Sequence, residues 1–149
     1  MDDLTAKAKA SPRLRMNYDL RNSAEDQSQR MLNAIEPGSP LPIHRHPKTT
    51  ETVVCLRGRL VEEFYEEVEG VQGVQEVQKV QEVQGVQGVQ EVQRVQKVQE
   101  IELSPNGPVV ALNIPAGQWH TVKVLESGTV ILECKDGPYE PARPEDMLG

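Results

Sequence analysis

Short apolar runs separated by Pro and Gly make up most of this 149-residue chain. Apolar runs of about four to eight residues are typical of β-strands, whereas helices need longer stretches with a period of about 3.6 residues. Pro and Gly at 36–40 and 104–108 indicate turns between such strands. The pattern therefore predicts an all-β barrel or sandwich. The predicted strands are Glu51 to Leu56, Leu60 to Tyr65, Val109 to Ile114, Thr121 to Leu125 and Thr129 to Lys135.

One segment does not fit this pattern. Residues 71–100 are ten consecutive triplets of the form Val-Gln-x, where x is Gly, Glu, Lys or Arg. A period of three keeps the valines on one face of neither a strand nor a helix. We interpret 68–100 as a low-complexity insertion in a hairpin loop whose arms are Val61 to Tyr65 and Gln99 to Leu103. The repeat is predicted to be disordered or a fluctuating hairpin tip, with a β-ribbon or a projecting helix as alternatives.

All three histidines of the chain fall in two short motifs. These read Gly38-x5-His44-x-His46-x4-Glu51-x6-Gly58 and Pro115-x-Gly117-x2-His120. Residues i and i+2 of a strand point to the same face, so His44 and His46 can share one cavity. Pro47 favours a turn, after which Glu51 can enter that cavity from the next strand. A barrel interior would bring His120 to the same place from a distant strand.

The residue types in these motifs indicate a metal site. Imidazole nitrogens and a carboxylate oxygen suit one divalent transition metal ion, but they do not select among Fe, Mn, Ni, Co and Zn. Such an ion with open positions can polarise a carbonyl or hydroxyl group, activate a bound water, or bind dioxygen if it is redox-active. The predicted metal ligands are His44, His46, Glu51 and His120.

Both motifs resemble the paired sequence motifs of the cupin superfamily. The second departs from the usual pattern, because Val109 stands in place of a glycine and Val124 in place of an asparagine. Segments 26–34 and 133–141 resemble the WbuC-type cupin fold metalloproteins, which are encoded in many bacterial surface-polysaccharide gene clusters. The resemblance, over about residues 12 to 65 and 98 to 142, implies a cupin-type jelly-roll β-barrel with one metal ion in its mouth, on the four predicted ligands.

The resemblance also sets the predicted boundaries. It makes Gln29 to Ile35 a strand, although the capping-box pattern of Ser23 to Asp26 alone predicts a helix through Ile35. We therefore predict a single domain, a barrel at 29–142 interrupted by the insertion. The flanking parts are predicted to be an N-terminal extension at 1–28, with a short helix from Leu4 to Lys9 ended by Ser11-Pro12, and a C-terminal tail at 143–149.

Polar residues near the two motifs are candidates for the ligand pocket. Alternation along the last strand leaves two arrangements open: Glu133 and Lys135 line the pocket, or they face solvent while Val130, Leu132 and Cys134 pack inside. Trp119 is expected on the barrel wall or rim, with ligand contact as an alternative. The candidate pocket residues are Arg30, Asn33, Trp119, Glu133, Lys135 and Tyr139.

Five further side chains receive structural interpretations. Arg45 alternates with the two histidines and is predicted to point away from the metal. The Glu62-Glu63 pair is interpreted as solvated. Two distant cysteines, Cys55 and Cys134, make no disulfide framework and are interpreted as small buried hydrophobic residues.

Composition restricts the partners. The net charge is −7, and without a long basic patch we expect no nucleic acid partner. No apolar run is long enough to span a bilayer, and the N-terminus is acidic where a secretory signal is basic, so we expect no membrane association and a cytoplasmic location. The expected partners are a small-molecule ligand and a second copy in a homodimer, because cupin relatives often pair through exposed sheet edges.

Two classes of function fit these features. The first is a metal-dependent enzyme, and the resemblance implies a sugar or nucleotide-sugar substrate in surface polysaccharide metabolism. Isomerisation or epimerisation and oxygen-dependent oxidation are both open. The second is a metal-containing binding or accessory module without turnover. The complete ligand set favours chemistry, because a pure small-molecule binder could dispense with the metal.

Overall fold

Two antiparallel five-stranded sheets enclose the core of the protein in the computed structural model, which describes residues 1–69 and 95–148. The elements are α1 (Asp2–Ala10), β1 (Arg15–Asp19), β2 (Ser28–Ile35), β3 (Ile43–His44), β4 (Glu51–Arg57), β5 (Leu60–Glu67), β6 (Val95–Leu103), β7 (Ala111–Ile114), β8 (Trp119–Val124), β9 (Thr129–Asp136), a 3-10 turn (Pro144–Asp146) and β10 (Met147–Leu148). One sheet has the order β1-β2-β9-β4-β7 and the other β10-β3-β8-β5-β6.

The hydrophobic core lies between the two sheets. Alternate residues of each strand face inward, as a half-buried sheet requires. Val53 and Ile131 contribute from the first sheet, and Leu60 and Phe64 from the second. Cys55 is 1% exposed and belongs to the same cluster, so its interpretation as a small buried hydrophobic residue is confirmed. The all-β prediction is confirmed as well.

Helix α1 packs on the outer face of the first sheet. Leu4 and Ala8 of the helix form a second apolar cluster with Ala34 of β2 and Val130 of β9. The helix was predicted at almost this position, and it ends at Ala10 because Ser11 is extended and Pro12 follows. It covers residues of opposite parity to those that line the core. Both faces of this sheet are therefore buried near β2 and β9.

The N-terminal residues before β2 are more than an extension. Strand β1 pairs along its whole length with β2, from Arg15 opposite Ile35 to Asp19 opposite Met31. The pattern of hydrophobic residues does not predict this strand, because its sequence is polar and it lies at the exposed edge of the sheet. Strand β2 itself confirms the strand implied by the resemblance, and the capping-box helix does not form. The barrel thus begins before residue 29.

The predicted C-terminal tail is also part of the fold. Met147 pairs with His44, and Leu148 pairs with Ile43, which places β10 at the edge of the second sheet. Asp146, just before this strand, is only 4% exposed. The expectation of a free tail at 143–149 is therefore wrong for residues 144–148. A two-residue strand is too short to be detected by periodicity.

The two arms of the predicted hairpin pair with each other. Leu60 of β5 lies opposite Leu103 of β6, and Glu67 lies opposite Val95. The last two repeat triplets, 95–100, are thus strand residues and not part of a loop. The remainder of the predicted insertion from 70 to 94 lies outside the described residues. Among the described residues, no helix is long and apolar enough to cross a membrane.

Gly58 allows the sharp connection between β4 and β5. Its φ of +81° is a left-handed conformation that side chains rarely adopt. A Cβ atom at this position would also collide with the Thr129 hydroxyl. Glycine is therefore required here, seven residues after Glu51 in the first motif, and the turn returns the chain to the second sheet.

Candidate metal centre

Four side chains from three parts of the chain, 44–46, 51 and 120, meet at one end of the barrel. His44 on β3 lies directly opposite His120 on β8 in the second sheet. Glu51, the first residue of β4, reaches the same point from the first sheet, and His46 follows β3 in a short loop. One nitrogen or oxygen atom from each residue lies within 4.8 Å of the others. The structure thus brings together the four residues that the two motifs single out.

The distances are close to those of a coordination sphere. His46 Nε2 lies 3.0 Å from Glu51 Oε2, and His120 Nε2 lies 3.5 Å from the same oxygen. The ring centroids of His44 and His120 are 4.3 Å apart. Ligands bonded at about 2.1 Å lie roughly 3.0 to 3.4 Å apart when adjacent and about 4.2 Å when opposite. Small side-chain adjustments would bring all four donor atoms to one ion.

Backbone carbonyl groups orient two of the rings. His44 Nδ1 lies 3.1 Å from the Pro42 oxygen, and His120 Nδ1 lies 2.8 Å from the Gln118 oxygen. A ring that donates a hydrogen bond from Nδ1 keeps the lone pair of Nε2 free for a metal ion. Each of these contacts comes from two residues earlier in the chain. The local strand geometry therefore sets the ring orientation.

Protonation in this cluster also suits a metal ion. Burial lowers the pKa of His44 to about 4, and the neighbouring His120 adds to this effect. Burial opposes ionisation of Glu51, but contacts with His120 and His46 outweigh it and hold the pKa of the carboxyl well below its usual range. The ring of His44 is thus neutral and Glu51 is a carboxylate at neutral pH. These are the forms that coordinate metals.

Two donor atoms of the cluster have no hydrogen-bond partner among residues 1–69 and 95–148. His46 Nε2 and Glu51 Oε2 are buried, and neither makes a well-oriented hydrogen bond. Unsatisfied buried polar atoms are rare in proteins and are costly, at about 1–3 kcal/mol each. Both atoms point toward the shared centre. The donor set and its unsatisfied atoms fit a divalent cation.

The inner wall beside this centre carries further polar groups. Glu133 and Lys135 share the inward parity of Ile131, because Val130 and Leu132 pack outward against the α1 cluster. Lys135 Nζ lies 4.0 Å from Glu51 Oε1. Of the two arrangements that the sequence left open, the structure has the one in which Glu133 and Lys135 face the interior.

Glu133 has a strongly shifted protonation equilibrium. Burial and the charge of Glu51 raise the pKa of Glu133 to about 8. Asn33 on β2 donates a hydrogen bond of 2.6 Å from Nδ2 to Glu133 Oε2. Two carboxyl groups with opposite preferences, Glu51 ionised and Glu133 protonated, therefore lie side by side in the barrel. Such pairs are characteristic of functional sites.

Glu62 is a functional candidate that the sequence analysis missed. It is 0% exposed, and in the part of the chain that the structure describes neither of its carboxyl oxygens has a hydrogen-bond partner. Burial raises the pKa of Glu62 well above its usual range, and the charges of Glu51 and Glu133 add to this effect. The interpretation of this residue as solvated is wrong. Its parity with Leu60 and Phe64 on β5 was the available signal.

Glu63 is also buried, at 9% exposed, although it lies on the opposite face of β5. Lys97 donates a hydrogen bond of 2.9 Å to one of its oxygens, and the Tyr65 hydroxyl donates one of 2.8 Å to the other. The solvated interpretation is therefore wrong for Glu63 too. Unlike Glu62, it has a partner for each oxygen and needs no ligand to explain its burial.

A cavity of about 410 Å³ opens beside His46. Lys135 and Tyr139 line it, and so does Gln29, which shares the inward face of β2 with Asn33. Residues 136–143 form the opposite wall. The cavity thus lies between the metal centre and the C-terminal segment.

Four of the six candidate pocket residues are not in the cavity lining: Asn33 and Glu133 lie on the inner wall beside the metal centre, whereas Arg30 and Trp119 lie elsewhere. Arg30 has the outward parity of β2, and its guanidinium contacts Asp26 at 2.8 Å. Trp119 is 3% exposed and packs with Ile43 in a cluster on the outer face of the second sheet. It follows that neither Arg30 nor Trp119 lines the cavity. The prediction that Arg30 lines the pocket is wrong, because Arg30 is adjacent in its strand to a residue that faces inward. Trp119 packs on the barrel wall, which was its expected place, and the alternative of ligand contact is not supported.

Arg45 points away from the centre, as predicted. Its guanidinium carbon lies 4.6 Å from the centroid of the Trp119 ring, and its Nη1 contacts Glu67 at 3.0 Å. Trp119 Nε1 donates a hydrogen bond of 2.9 Å to the same Glu67 carboxylate. These three residues form a network on the outer side of the strands that carry the histidines.

The fold resembles that of several solved structures. It matches KdgF from Halomonas sp. with a TM-score of 0.53 and 12% identity, covering 87% of this chain and 84% of that chain. It matches an oxalate oxidase with a TM-score of 0.52 and 13% identity, covering 87% of this chain and 54% of that chain. These matches confirm the predicted cupin-type jelly-roll barrel.

A third match is the capsular polysaccharide assembling protein CapF from Staphylococcus aureus. The TM-score is 0.54 and the identity 17%, covering 89% of this chain. This chain spans only 29% of the CapF chain, so the likeness concerns one part of that protein. At such low identity these likenesses establish the fold alone.

Sequence comparison adds a family. No curated protein sequence is significantly similar to this chain. One family matches residues 1–77, which include β1 to β5 and three of the four clustered side chains. Because that match covers just over half of this chain, the chain belongs to the family described as a domain of unknown function, DUF6016.

Proposed function

We propose that this protein binds one divalent transition metal ion through His44, His46, Glu51 and His120, and that it acts on or binds a small polar, sugar-like ligand in the adjoining cavity. One observation carries the proposal: one donor atom from each of these four residues lies within 4.8 Å of the others, although His120 is far from the other three in sequence. Two of these side chains, His46 and Glu51, have a buried donor atom without a hydrogen-bond partner.

The side chains have distinct roles in this proposal. A bound ion of this kind supplies Lewis-acid polarisation or, if it is redox-active, electron transfer. Glu51 provides the one negative charge among the four ligands. Glu133 holds a carboxyl group on the adjacent inner wall, and Asn33 fixes its orientation at 2.6 Å. A positioned carboxyl beside a reacting group is a candidate general acid or base.

The substrate class within this proposal is a sugar or nucleotide sugar of bacterial surface polysaccharide metabolism. Two things support it: segments 26–34 and 133–141 resemble WbuC-type cupins, and CapF, which shares the fold, is a capsular polysaccharide assembling protein. The reaction class is an isomerisation or epimerisation, or else an oxygen-dependent oxidation. We propose a cytoplasmic location with this assignment.

We also propose a homodimer. Strand β1 forms one edge of the first sheet and exposes Tyr18 at 59%. Free strand edges bind other chains unless they are covered, so a second copy is a fitting partner. Light scattering on the purified protein in solution should give twice the mass of a single chain. A monomer at micromolar concentration would contradict this part of the proposal.

Metal analysis tests the proposal most directly. Element-resolved X-ray fluorescence on the purified full chain should show close to one transition metal ion per chain. The metal-loaded protein is then incubated with sugars, nucleotide sugars and keto acids, with and without oxygen. Product formation identifies an enzyme, whereas ligand binding without turnover identifies the non-catalytic module. Absence of any bound transition metal after loading would overturn the proposal.

A further inference from the structure

The charges that line the 410 Å³ cavity are mostly paired. Lys48 on the rim lies 3.4 Å from Glu140, with both side chains more than 60% exposed. Arg143 lies 3.7 Å from Glu145. Arg45 is bound to carboxylates on the outer side of the strand. Of the four lysine and arginine side chains that line the cavity, these three already have an acidic partner at its edge or outside it.

Lys135 is the fourth of these cations, and it differs from the others. Its side chain is 19% exposed and projects from β9 between the metal centre and the cavity. Its nearest carboxylate oxygen is Glu51 Oε1, at 4.0 Å. The other Glu51 oxygen, Oε2, is the one that faces His46 and His120. The ammonium group thus stands beside the ligand cluster without a close hydrogen bond to it.

Resting on the proposed function, we propose that the cavity binds a small molecule with a carboxylate group, such as a sugar acid or hydroxy acid, and that Lys135 binds that carboxylate. The charges support this class. A divalent ion and Lys135 together would carry three positive charges, of which Glu51 and the cavity-lining Asp136 offset two. A neutral sugar would leave the excess uncompensated in a partly buried site, which is unfavourable.

The cavity lining favours a carboxylate over a phosphate. Phosphate sites commonly combine several donors, such as arginine forks or the amide groups at a helix N-terminus. Of the arginines in this lining, Arg45 is held by Asp146 at 2.8 Å, and Arg143 has a side chain that is 60% exposed and lies 3.7 Å from Glu145. A carboxylate with a neighbouring hydroxyl would need only the Lys135 ammonium group and the ion that His44, His46, Glu51 and His120 would hold. A volume of about 410 Å³ also suits a monosaccharide-sized ligand.

The test uses matched ligands that differ mainly at one carbon. Calorimetry on the full chain, loaded with Co²⁺ and at saturating metal, compares D-glucuronate with D-glucose and with D-glucose 6-phosphate. Glucuronate should bind at least about tenfold more tightly than either of the others, as expected for one charge-assisted contact. The Co²⁺ absorption spectrum provides a second readout of ligand entering the metal site.

Three variants separate Lys135 from general disturbance. Lys135→Met should reduce the preference for glucuronate over glucose by about tenfold or more, and Lys135→Arg should retain part of it. Lys48→Met removes the rim lysine from the same cavity and should leave the preference unchanged. Because selectivity is a ratio measured within each variant at saturating metal, a change in metal affinity or stability does not affect the comparison.

The outcomes distinguish this inference from the proposed function. One bound metal ion per chain with no preference for glucuronate would overturn the inference and leave the metal site intact. Tighter binding of the phosphate, or a preference that survives Lys135→Met, would overturn it equally. Failure to bind any metal would overturn the proposed function itself.

Discussion

The guanidinium of Arg45 binds the carboxylate of Asp146, with Nε 2.8 Å from Oδ1. The Arg45 amide also donates a hydrogen bond of 3.0 Å to the Asp146 carbonyl oxygen. Arg45 stands between His44 and His46, whereas Asp146 precedes the short strand β10. This contact therefore fastens the C-terminal segment, which walls the cavity, to the short stretch 44–46 that holds two of the clustered histidines.

Removing the charge of Asp146 should loosen this attachment. We expect Asp146→Asn to lower the free energy of unfolding by about 1–2 kcal/mol, because a nearly buried ion pair is lost while Arg45 stays partly exposed. The melting temperature should fall by roughly 2–8 °C. Metal affinity should decrease by up to about tenfold, since Arg45 positions the neighbouring histidines.

The neighbouring acid offers a matched control for this prediction. Glu145 is 58% exposed in its side chain, and its contact with Arg143 is long at 3.7 Å. Glu145→Gln should leave both the melting temperature and metal affinity close to those of the unmodified protein. Equal effects of the two substitutions would show that the Arg45–Asp146 contact has no special role.

Loss of a clustered histidine should lower metal content and thermal stability together. An ion that binds only the folded protein stabilises it by about 2.7 kcal/mol at a concentration 100 times its Kd. This corresponds to roughly 5–10 °C in melting temperature for a chain of this size. His46→Ala and His120→Ala should each abolish most of that metal-induced increase, measured by calorimetry with and without metal.

A rim residue controls for local disturbance at the cavity. Lys48→Ala changes an exposed side chain two residues from His46 and should retain the full metal-induced increase. If His46→Ala and His120→Ala both keep one metal ion per chain, the ligands are other residues.

Glu62 should make folding stability depend on pH. The pKa of the folded carboxyl is raised well above the ordinary value of 4.5, so the folded protein keeps a proton that the unfolded chain releases. Stability from this group is therefore present below about pH 4.5 and is lost as pH rises toward the folded pKa. The slope cannot exceed about 1.4 kcal/mol per pH unit for one proton.

Replacing this carboxyl by an amide should remove the dependence. Urea unfolding of Glu62→Gln at pH 5 to 8, with the metal concentration fixed, should show the variant gaining stability relative to the unmodified protein as pH rises. Glu66→Gln removes an exposed carboxylate from the same strand and serves as the control. A constant difference between Glu62→Gln and the unmodified protein across this range would refute the prediction.

The hairpin should fold without most of the repeat. Glu67 and Val95 are paired, so replacing residues 68–94 by Asn-Gly leaves a two-residue turn of the kind that closes antiparallel strands. We expect cooperative unfolding, retained metal binding and a gain of about 2 kcal/mol from the shorter loop, at roughly 0.6 kcal/mol per halving of length. The measurements are calorimetry and metal analysis.

A composition control separates length from sequence in this experiment. A chain with the residues of 71–94 in scrambled order should behave like the unmodified protein. Loss of both metal binding and cooperative unfolding in the Asn-Gly variant would show that the segment contributes to the barrel.

The clustered side chains were predictable because their spacing has a direct geometric meaning. Two histidines at i and i+2 share a strand face, and Glu51 follows the turn introduced by Pro47. Most strand positions were predictable because short apolar runs between Pro and Gly indicate strands. The pairing of β5 with β6 also followed, because a short strand-like segment stands on each side of the repeat.

The errors arose where burial depends on a third element. The parity of β9 could not be assigned from its own residues, because α1 covers Val130 on one face while Ile131 meets the core on the other. Glu62 looked solvated because two adjacent acids are usually exposed. Trp119 and Arg30 are next to inward-facing residues, and a one-residue change of parity places a side chain on the opposite face.

The packing of α1 against the outside of the first sheet has a consequence for how this barrel can vary. The apolar layer under α1 contributes to the stability of the sheet at β2 and β9. Less of that stability therefore has to come from apolar side chains inside the barrel. The barrel interior can then hold ionisable groups, which a fully apolar interior would not accommodate. Substitutions under α1 should therefore change mainly the stability of the fold, and substitutions inside the barrel should change mainly the chemistry of the site. Each kind should have little effect on the other property.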